Sequence, residues 1–274
     1  MSQVPTVTLN DGRQIPQLGF GVWQVSTEDI IPAVAKALEV GYRHIDTAAI
    51  YGNEEGVGQA IADSGIPREE LFITTKLWND KHSHDDAIAA VQESLKKLGL
   101  DYVDLYLIHW PTPKNDNYIE AWKALEEIQS NGWSRSIGVS NFLIPHLRRT
   151  VEEGTVIPAV NQIELHPTHS RRDVVAVNDE FGIKTEAYSP LGLAKDLDND
   201  VIKQLSETLG RTPAQVILRW HLQRGHIVFP KSVTPARIEE NFNLFDFELS
   251  DADLAAIDGL ESGNRLNSDP NEFN

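Results

Sequence analysis

An aspartate, a tyrosine, a lysine and a histidine stand at or just beyond the ends of apolar runs in the first half of this chain. His44-Ile45-Asp46 reads as a short buried strand reaching a surface, Tyr51 follows, and after Gly52-Asn53 a helix is expected from Glu54. Phe72-Ile73-Thr74-Thr75 runs into Lys76, and Leu105-Tyr106-Leu107-Ile108 runs into His109. A phenol with its ordinary pKa of about 10 needs help to act as a proton donor at neutral pH. An ammonium beside it favours the phenolate, and a carboxylate behind the ammonium holds that charge in place. Asp46, Lys76 and Tyr51 suit those roles, and His109 could donate to the same oxygen from the other side. The chemistry such a group permits is protonation of an oxygen that becomes an alkoxide. Carbonyl reduction by hydride does this, and it requires a nicotinamide cofactor. Each residue also has a plainer reading: a solvated Lys, an Asp46 paired with Arg43 or capping a turn, a His packed in the core beside Trp110.

Positioning these residues calls for a repeating scaffold. Eight strands are expected at 18–21, 42–46, 71–76, 103–109, 136–139, 160–164, 184–188 and 227–230. Helices alternate with them at 28–40, 54–64, 85–98, 118–131, 143–153, 173–181, 201–209, 213–224 and 235–244. Thr212 before Pro213, and Ser250 with Asp253, are helix-start signals, and Ser170 or Asp173 is expected to start the helix after the sixth strand. Strand and helix repeated with short loops and no linker argue for a single α/β domain over residues 1–274, a (β/α)8 TIM barrel with catalytic residues on its C-terminal rim. An open doubly wound sheet is the alternative, but Gly19-Phe20-Gly21 is only a fragment of a dinucleotide fingerprint and no helix follows it directly. Before the first barrel strand, Val7-Thr8-Leu9, Asn10-Asp11-Gly12 and Arg13-Gln14-Ile15 read as a small hairpin around an Asp-Gly turn. The tail after Gly259 is polar and is expected to lie irregularly over one face.

Composition narrows the function classes. The chain has 274 residues, 41% hydrophobic and 24% charged, which is ordinary for a globular enzyme. Its formal charge of −17 repels nucleic acid and anionic membranes, so an anionic ligand needs a local basic pocket. With no cysteine there is no disulfide, thiol nucleophile or thiolate metal site. No apolar run suits a membrane span, and the first residues carry neither a basic nor an apolar leader pattern, so a cytoplasmic protein is expected. No extra apolar helix face calls for an obligate assembly, and a monomer is expected. A candidate basic pocket does exist. Lys231 is expected to end the eighth strand, with Ser232, Thr234 and Arg237 entering the following helix, and barrels commonly seat phosphate there. Trp23, Trp78 and Trp110 follow strand ends and suggest an aromatic substrate pocket, with Asn79 and Arg265 as further polar candidates. His82-Ser83-His84, flanked by Asp80, Asp85 and Asp86, offers an alternative metal-hydrolase reading. It sits in a polar loop rather than on a strand, and no metal is expected.

These motifs resemble those of the aldo-keto reductase superfamily along nearly the whole chain. Gly41–Ala48 with Tyr51 and Glu54 matches the first family signature, Thr75–Trp78 and Ile108–Pro111 the lysine and histidine segments, Ser136–Phe142 the second signature, and Pro230–Ser232 through Arg237–Asn241 the third. The pattern is most similar to bacterial 2,5-diketo-D-gluconate reductases. The resemblance implies a barrel closed at the bottom by the hairpin, NADPH as cofactor, and a catalytic tetrad of Asp46, Tyr51, Lys76 and His109 with Tyr51 as general acid. It also implies that Ser140, Asn141 and Gln162 hold the nicotinamide carboxamide and that Tyr188 stacks on the ring, with Ser189 and Leu191 beside it. Lys231, Ser232, Val233, Thr234 and Arg237 would hold the 2′-phosphate, and Glu240 and Asn241 the adenine. Relative to longer members, the loop after Tyr188 and the C-terminus are short, so a loosely held cofactor and an open pocket are expected. The implied substrate is a small carbonyl compound. A barrel that keeps its fold but only binds or packs is the remaining alternative.

Overall fold

Residues 4–274, described by a computed structural model, begin with a hairpin of β1 (Thr6–Thr8) and β2 (Gln14–Pro16), in which Val7 pairs with Ile15. The turn is wider than expected. Leu9 belongs to the loop, its N–H donates to the Arg13 carbonyl at 2.8 Å, and of the Asp11-Gly12 pair only Gly12 takes a positive φ, 85°. Eight parallel strands follow: β3 (Phe20–Gly21), β4 (His44–Asp46), β5 (Phe72–Leu77), β6 (Val103–Ile108), β7 (Ser134–Ser140), β8 (Val160–Glu164), β9 (Lys184–Tyr188) and β10 (Ile227–Val228). Each pairs with its predecessor and successor in chain order. The helices are α1 (Ile30–Val40), α2 (Glu54–Ser64), α3 (His84–Leu98), α4 (Tyr118–Ser130), α5 (Ile144–Glu153), α6 (Arg172–Glu180), α7 (Asp200–Leu209), α8 (Pro213–Gln223), α9 (Pro235–Phe242) and α10 (Asp251–Asp258).

The first and last strands close the barrel and are shorter than expected. Leu18 and Gly19 pair towards β10, with the Gly19 N–H donating to the Val228 carbonyl at 2.8 Å, whereas Phe20 and Gly21 pair with Ile45 and Asp46 of β4. A Cβ on Gly21 would stand 2.8 Å from the Phe229 carbonyl oxygen, so only glycine permits this approach. β10 ends at Val228 because Pro230 has no N–H to extend the ladder, and Lys231 therefore lies in the connection to α9, beyond any strand. Helix ends agree with expectation to within two residues, and both Thr212 and Ser250 form capping boxes. α6 starts one residue before the expected position, and neither Ser170 nor Asp173 is its N-cap. Arg171 in the left-handed region (φ 46°) leads into the helix, and the Ser170 hydroxyl donates to Glu261 instead.

Two apolar layers hold the barrel. Leu9 and Ile15 of the hairpin region join Phe72, Leu105, Val160 and Ile227 inside the lower barrel and plug its N-terminal end. Outside it, Ile73, Leu77, Tyr106, Ile108 and Ile163 pack against helix residues such as Val57, Val91, Trp122 and Leu125. With both faces covered, β5 and β6 are buried at every position, as parallel strands in this architecture require.

Candidate active site

The alternation of the strands decides which side chains reach the barrel axis. Along β5, Ile73 and Leu77 pack outward, so Phe72 and Lys76 point inward; along β8 and β9, Ile163 and Ala187 pack outward, leaving Gln162, Glu164, Glu186 and Tyr188 inside. Lys76 is wholly buried and donates from Nζ to Asp46 Oδ1 at 2.7 Å and to the Thr47 carbonyl at 2.9 Å. The same ammonium lies 5.2 Å from the centroid of the Tyr51 ring. Tyr51 ends a 3-10 turn, Ala49–Tyr51, and its half-buried ring meets the edge of His109 with centroids 5.8 Å apart. The Arg43 guanidinium bonds the Leu38 and Tyr42 carbonyls, so it does not pair with Asp46. The four strand-end residues therefore meet in one cluster.

Burial would strip the proton from Lys76, but Asp46 and Tyr51 beside it outweigh that and raise its pKa. Burial pushes the Tyr51 phenol up while Lys76 pulls it down, and the net direction is up. Proximity to an ammonium alone had implied the opposite; the crowding around the ring is what a sequence does not display. His109 is driven well below the ordinary imidazole value, by burial first and by Lys76 second, and its Nδ1 is buried without a partner among the described residues. Glu186, one layer beneath Tyr188, is pushed up to about 8 by burial and by the nearby Asp46 carboxylate. Glu186 belongs to no sequence motif, although its parity with Tyr188 on one strand places both inside.

A cavity of about 920 Å³ opens above this cluster. Asp46, Tyr51, His109, Ser140, Asn141, Gln162, Tyr188, Ser189, Leu191, Lys231, Ser232, Arg237, Glu240 and Asn241 all line it, as do Trp23, Trp78 and Trp110. Lys76 sits behind Asp46 and Tyr51. Val233 and Thr234 lie outside the lining: Val233 is 42% exposed, and Thr234 uses its N–H on the Ser232 hydroxyl at 3.1 Å. Asn79 and Arg265 do not line the cavity either. Asn141 takes the left-handed conformation (φ 63°) and is pinned there: its Nδ2 donates to the His109 carbonyl at 2.9 Å and its Oδ1 accepts from the Tyr188 hydroxyl at 2.7 Å. Lys231 and Arg237 are exposed, and neither side chain has an ion-pair partner among the described residues, so both remain available to an anion. Unpaired cations at one end, amide groups between, and a tyrosine-lysine pair at the other fit a phosphorylated nicotinamide dinucleotide.

The tail adds a further wall to the cavity. Phe273 packs on Trp110 with centroids 4.5 Å apart and on Trp78 at 6.2 Å, and Asn267 and Ser268 also line the cavity. A lone aromatic in a polar tail was the available signal. The His82–His84 segment does not form a metal centre. His82 Nδ1 is within 3.2 Å of both Asn117 Oδ1 and the Thr112 hydroxyl, while the half-buried His84 bonds Asp85 and Glu127. Among the described residues no group of three or more His, Cys, Asp or Glu could hold a metal ion, and no helix is long and apolar enough to cross a membrane.

A parallel eight-stranded barrel with this buried Asp-Lys pair beneath a tyrosine and a histidine defines a class of carbonyl oxidoreductase. The profile of the Aldo/keto reductase family matches residues 17–262, and the chain belongs to that family. By that membership it is an oxidoreductase of carbonyl compounds. Methylglyoxal reductase DkgA of Escherichia coli (strain K12) is 53% identical over 275 residues, covering 100% of this chain and 99% of the relative. The crystal structure of an aldo/keto reductase from Brucella melitensis superimposes with a TM-score of 0.93 at 52% identity, covering 95% of this chain and 99% of that one. An aldo-keto reductase of Bombyx mori, solved in complex with NADP, superimposes with a TM-score of 0.91 at 41% identity, covering 97% and 95%.

Proposed function

We propose that residues 1–274 act as one barrel domain that reduces small aldehydes and ketones, dicarbonyls and keto-sugars such as methylglyoxal and 2,5-diketo-D-gluconate included, to alcohols with NADPH. The observation that carries this reading is the meeting of Tyr51, Lys76, Asp46 and His109 at the floor of the cavity whose far end holds the unpaired Lys231 and Arg237. NADPH, when bound, supplies the hydride. Tyr51 supplies the proton that completes the alcohol: its raised pKa keeps the phenol protonated at neutral pH, and the Lys76 ammonium stabilises the phenolate left behind. Asp46 keeps Lys76 charged, since a lone ammonium in that buried position would lose its proton. His109, neutral, positions the carbonyl oxygen through a hydrogen bond rather than acting as an acid. Trp23, Trp78, Trp110 and Phe273 form an apolar wall that admits a small organic carbonyl and limits water. Ser140, Asn141 and Gln162 supply amide and hydroxyl groups for the carboxamide, Tyr188 a face for the ring, and Lys231, Ser232 and Arg237 the partners of the 2′-phosphate. The similarity to a methylglyoxal reductase supports a small dicarbonyl as substrate.

The test is Tyr51→Phe, followed by NADPH oxidation with methylglyoxal, 2,5-diketo-D-gluconate and an aromatic aldehyde. Loss of the general acid should lower kcat by about 10²–10⁴-fold, with NADPH binding, read by protein fluorescence, nearly unchanged. Turnover retained in that variant would remove Tyr51 from the acid role.

A further inference from the structure

Glu186 is a wholly buried acid that the proposed chemistry does not use. It pairs in register with Gln162 on the neighbouring strand, and Gln162 Nε2 donates to Glu186 Oε2 at 2.9 Å and to Asp46 Oδ2 at 2.9 Å. Both hydrogens of one amide group are thus spent on two carboxyl groups. That arrangement fixes which way the amide faces: a carbonyl oxygen turned towards the ionised Asp46 would meet only repulsion. Gln162 Oε1 is consequently the atom left to face the cavity that Gln162 lines. Asp46 cannot set this orientation alone, because its Oδ1 belongs to Lys76 and a single hydrogen bond leaves the second amide hydrogen buried and unsatisfied. Glu186 Oε1 is buried without a partner among the described residues, so Oε2 is the atom through which the acid accepts from Gln162.

We propose that Glu186 is a positioning residue for the cofactor: by holding the second amide hydrogen of Gln162 it presents Gln162 Oε1 to the cavity as an acceptor for the nicotinamide carboxamide. This rests on the reading of the cavity as a nicotinamide dinucleotide site. Glu186 touches neither cofactor nor substrate and acts only through Gln162. The charged groups facing it are Asp46 from β4 and Lys76 from β5, while its strand neighbours Gln162 and Ile227 are neutral.

The experiment compares Glu186→Gln and Glu186→Met with the unaltered chain, titrating NADPH and, separately, adenosine 2′,5′-bisphosphate, which has no nicotinamide. Glu186→Met removes the acceptor and should weaken NADPH about five- to tenfold, the loss of one net hydrogen bond, with adenosine 2′,5′-bisphosphate unchanged. Glu186→Gln keeps an acceptor oxygen and should bind NADPH within about twofold of the parent. Adding Glu186→Met to Gln162→Leu should produce no further weakening, since the first acts through the second. Equal weakening of both ligands, no weakening of NADPH, or failure of the Gln variant to rescue would each overturn the proposal. Should Glu186→Met fail to fold, the Gln162 side-chain amide signal in 15N NMR decides: it should shift as Glu186 titrates near pH 8, and stay still in Glu186→Gln. A Gln162 amide signal identical in the parent and in Glu186→Gln at every pH would overturn the proposal, since it would show that Glu186 does not hold that amide. Absence of NADPH binding by the unaltered chain would instead remove the cofactor reading on which it stands.

Discussion

A neutral histidine beside a protonated tyrosine gives the site an unsymmetrical proton inventory. His109 is boxed in by Tyr51, Trp78 and Trp110, with ring centroids between 5.1 and 6.4 Å away. That enclosure, with Lys76 behind it, holds the imidazole neutral through the range where histidines ordinarily titrate. The expected outcome is a kcat/KM profile with no limb near pH 6.5, the ordinary imidazole value, that belongs to His109. His109→Gln should lower kcat/KM by about 10²-fold, as loss of one oriented donor does, and leave the shape of the profile alone. A limb near pH 6.5 that vanishes in this variant would show that His109 cycles its proton. At this scale the residue types and their places at strand ends were legible, because an inward side chain at the end of a strand has nowhere to go but the rim. The direction of the Tyr51 shift was not. It depends on how much protein surrounds the ring, which is set by segments far away in the chain.

Between residue and barrel lie the loops. The segment after β9 is short, as expected, and it is bonded down at Asp196. Its 3-10 stretch Gly192–Asp198 carries Leu193 and Ala194 at positive φ (49° and 68°), a strained path that needs external support. Asp196 supplies it: Oδ2 lies 2.8 Å from His166 Nδ1 and Oδ1 accepts from the Thr168 hydroxyl at 2.8 Å. On the other side His166 Nε2 lies 3.3 Å from Glu164 Oε1, and the two Glu164 oxygens accept the Leu266 and Asn267 N–H groups of the tail at 2.6 and 3.1 Å. One buried histidine thus connects the loop over the cavity to the tail that carries Phe273. Burial alone would push its pKa down, but Asp196 and Glu164 on either side reverse this, so His166 holds its proton above the ordinary value. A raised folded pKa means stability that is complete below about pH 6.5 and is lost as pH rises through the folded value. His166→Gln leaves two buried carboxylates uncompensated and should cost roughly 3–5 kcal/mol below that point. Thermal unfolding at several pH values should show the Tm gap between parent and variant narrowing as pH rises. A gap that stays constant or widens would mean that His166 is neutral in the fold. His166 lay unremarked in the sequence because its partners, Glu164 and Asp196, are joined only when the loop folds back over the rim.

The whole molecule works against its own ligand. A chain of net charge −17 repels a multiply charged anion at long range, so the cations Lys231 and Arg237 that line the cavity must supply the local attraction. The barrel that brings this pair to the same cavity as Tyr51 was legible from eight apolar runs alternating with amphipathic segments, because a parallel sheet buried on both faces leaves a strong hydrophobic imprint. Its closure was less so: β3 and β10 are two residues each, and their pairing rests on backbone bonds around Gly19, Gly21 and Val228 that no side-chain pattern marks. Lys231, expected on a strand, reaches the cavity from the connection to α9, so its placement depends on that closure as well. Since no acid among the described residues pairs with either cation, their charge is available to a 2′-phosphate and of little use to a ribose diol. Lys231→Met together with Arg237→Met should therefore weaken NADPH by up to about fivefold per cation removed, both being exposed and screened, while NADH binding changes little. Raising ionic strength should shrink the NADPH effect in the parent and not in the double variant, as expected for an attraction that salt screens. Equal loss of both cofactors would show instead that the two residues maintain the fold of the connection rather than select the phosphate.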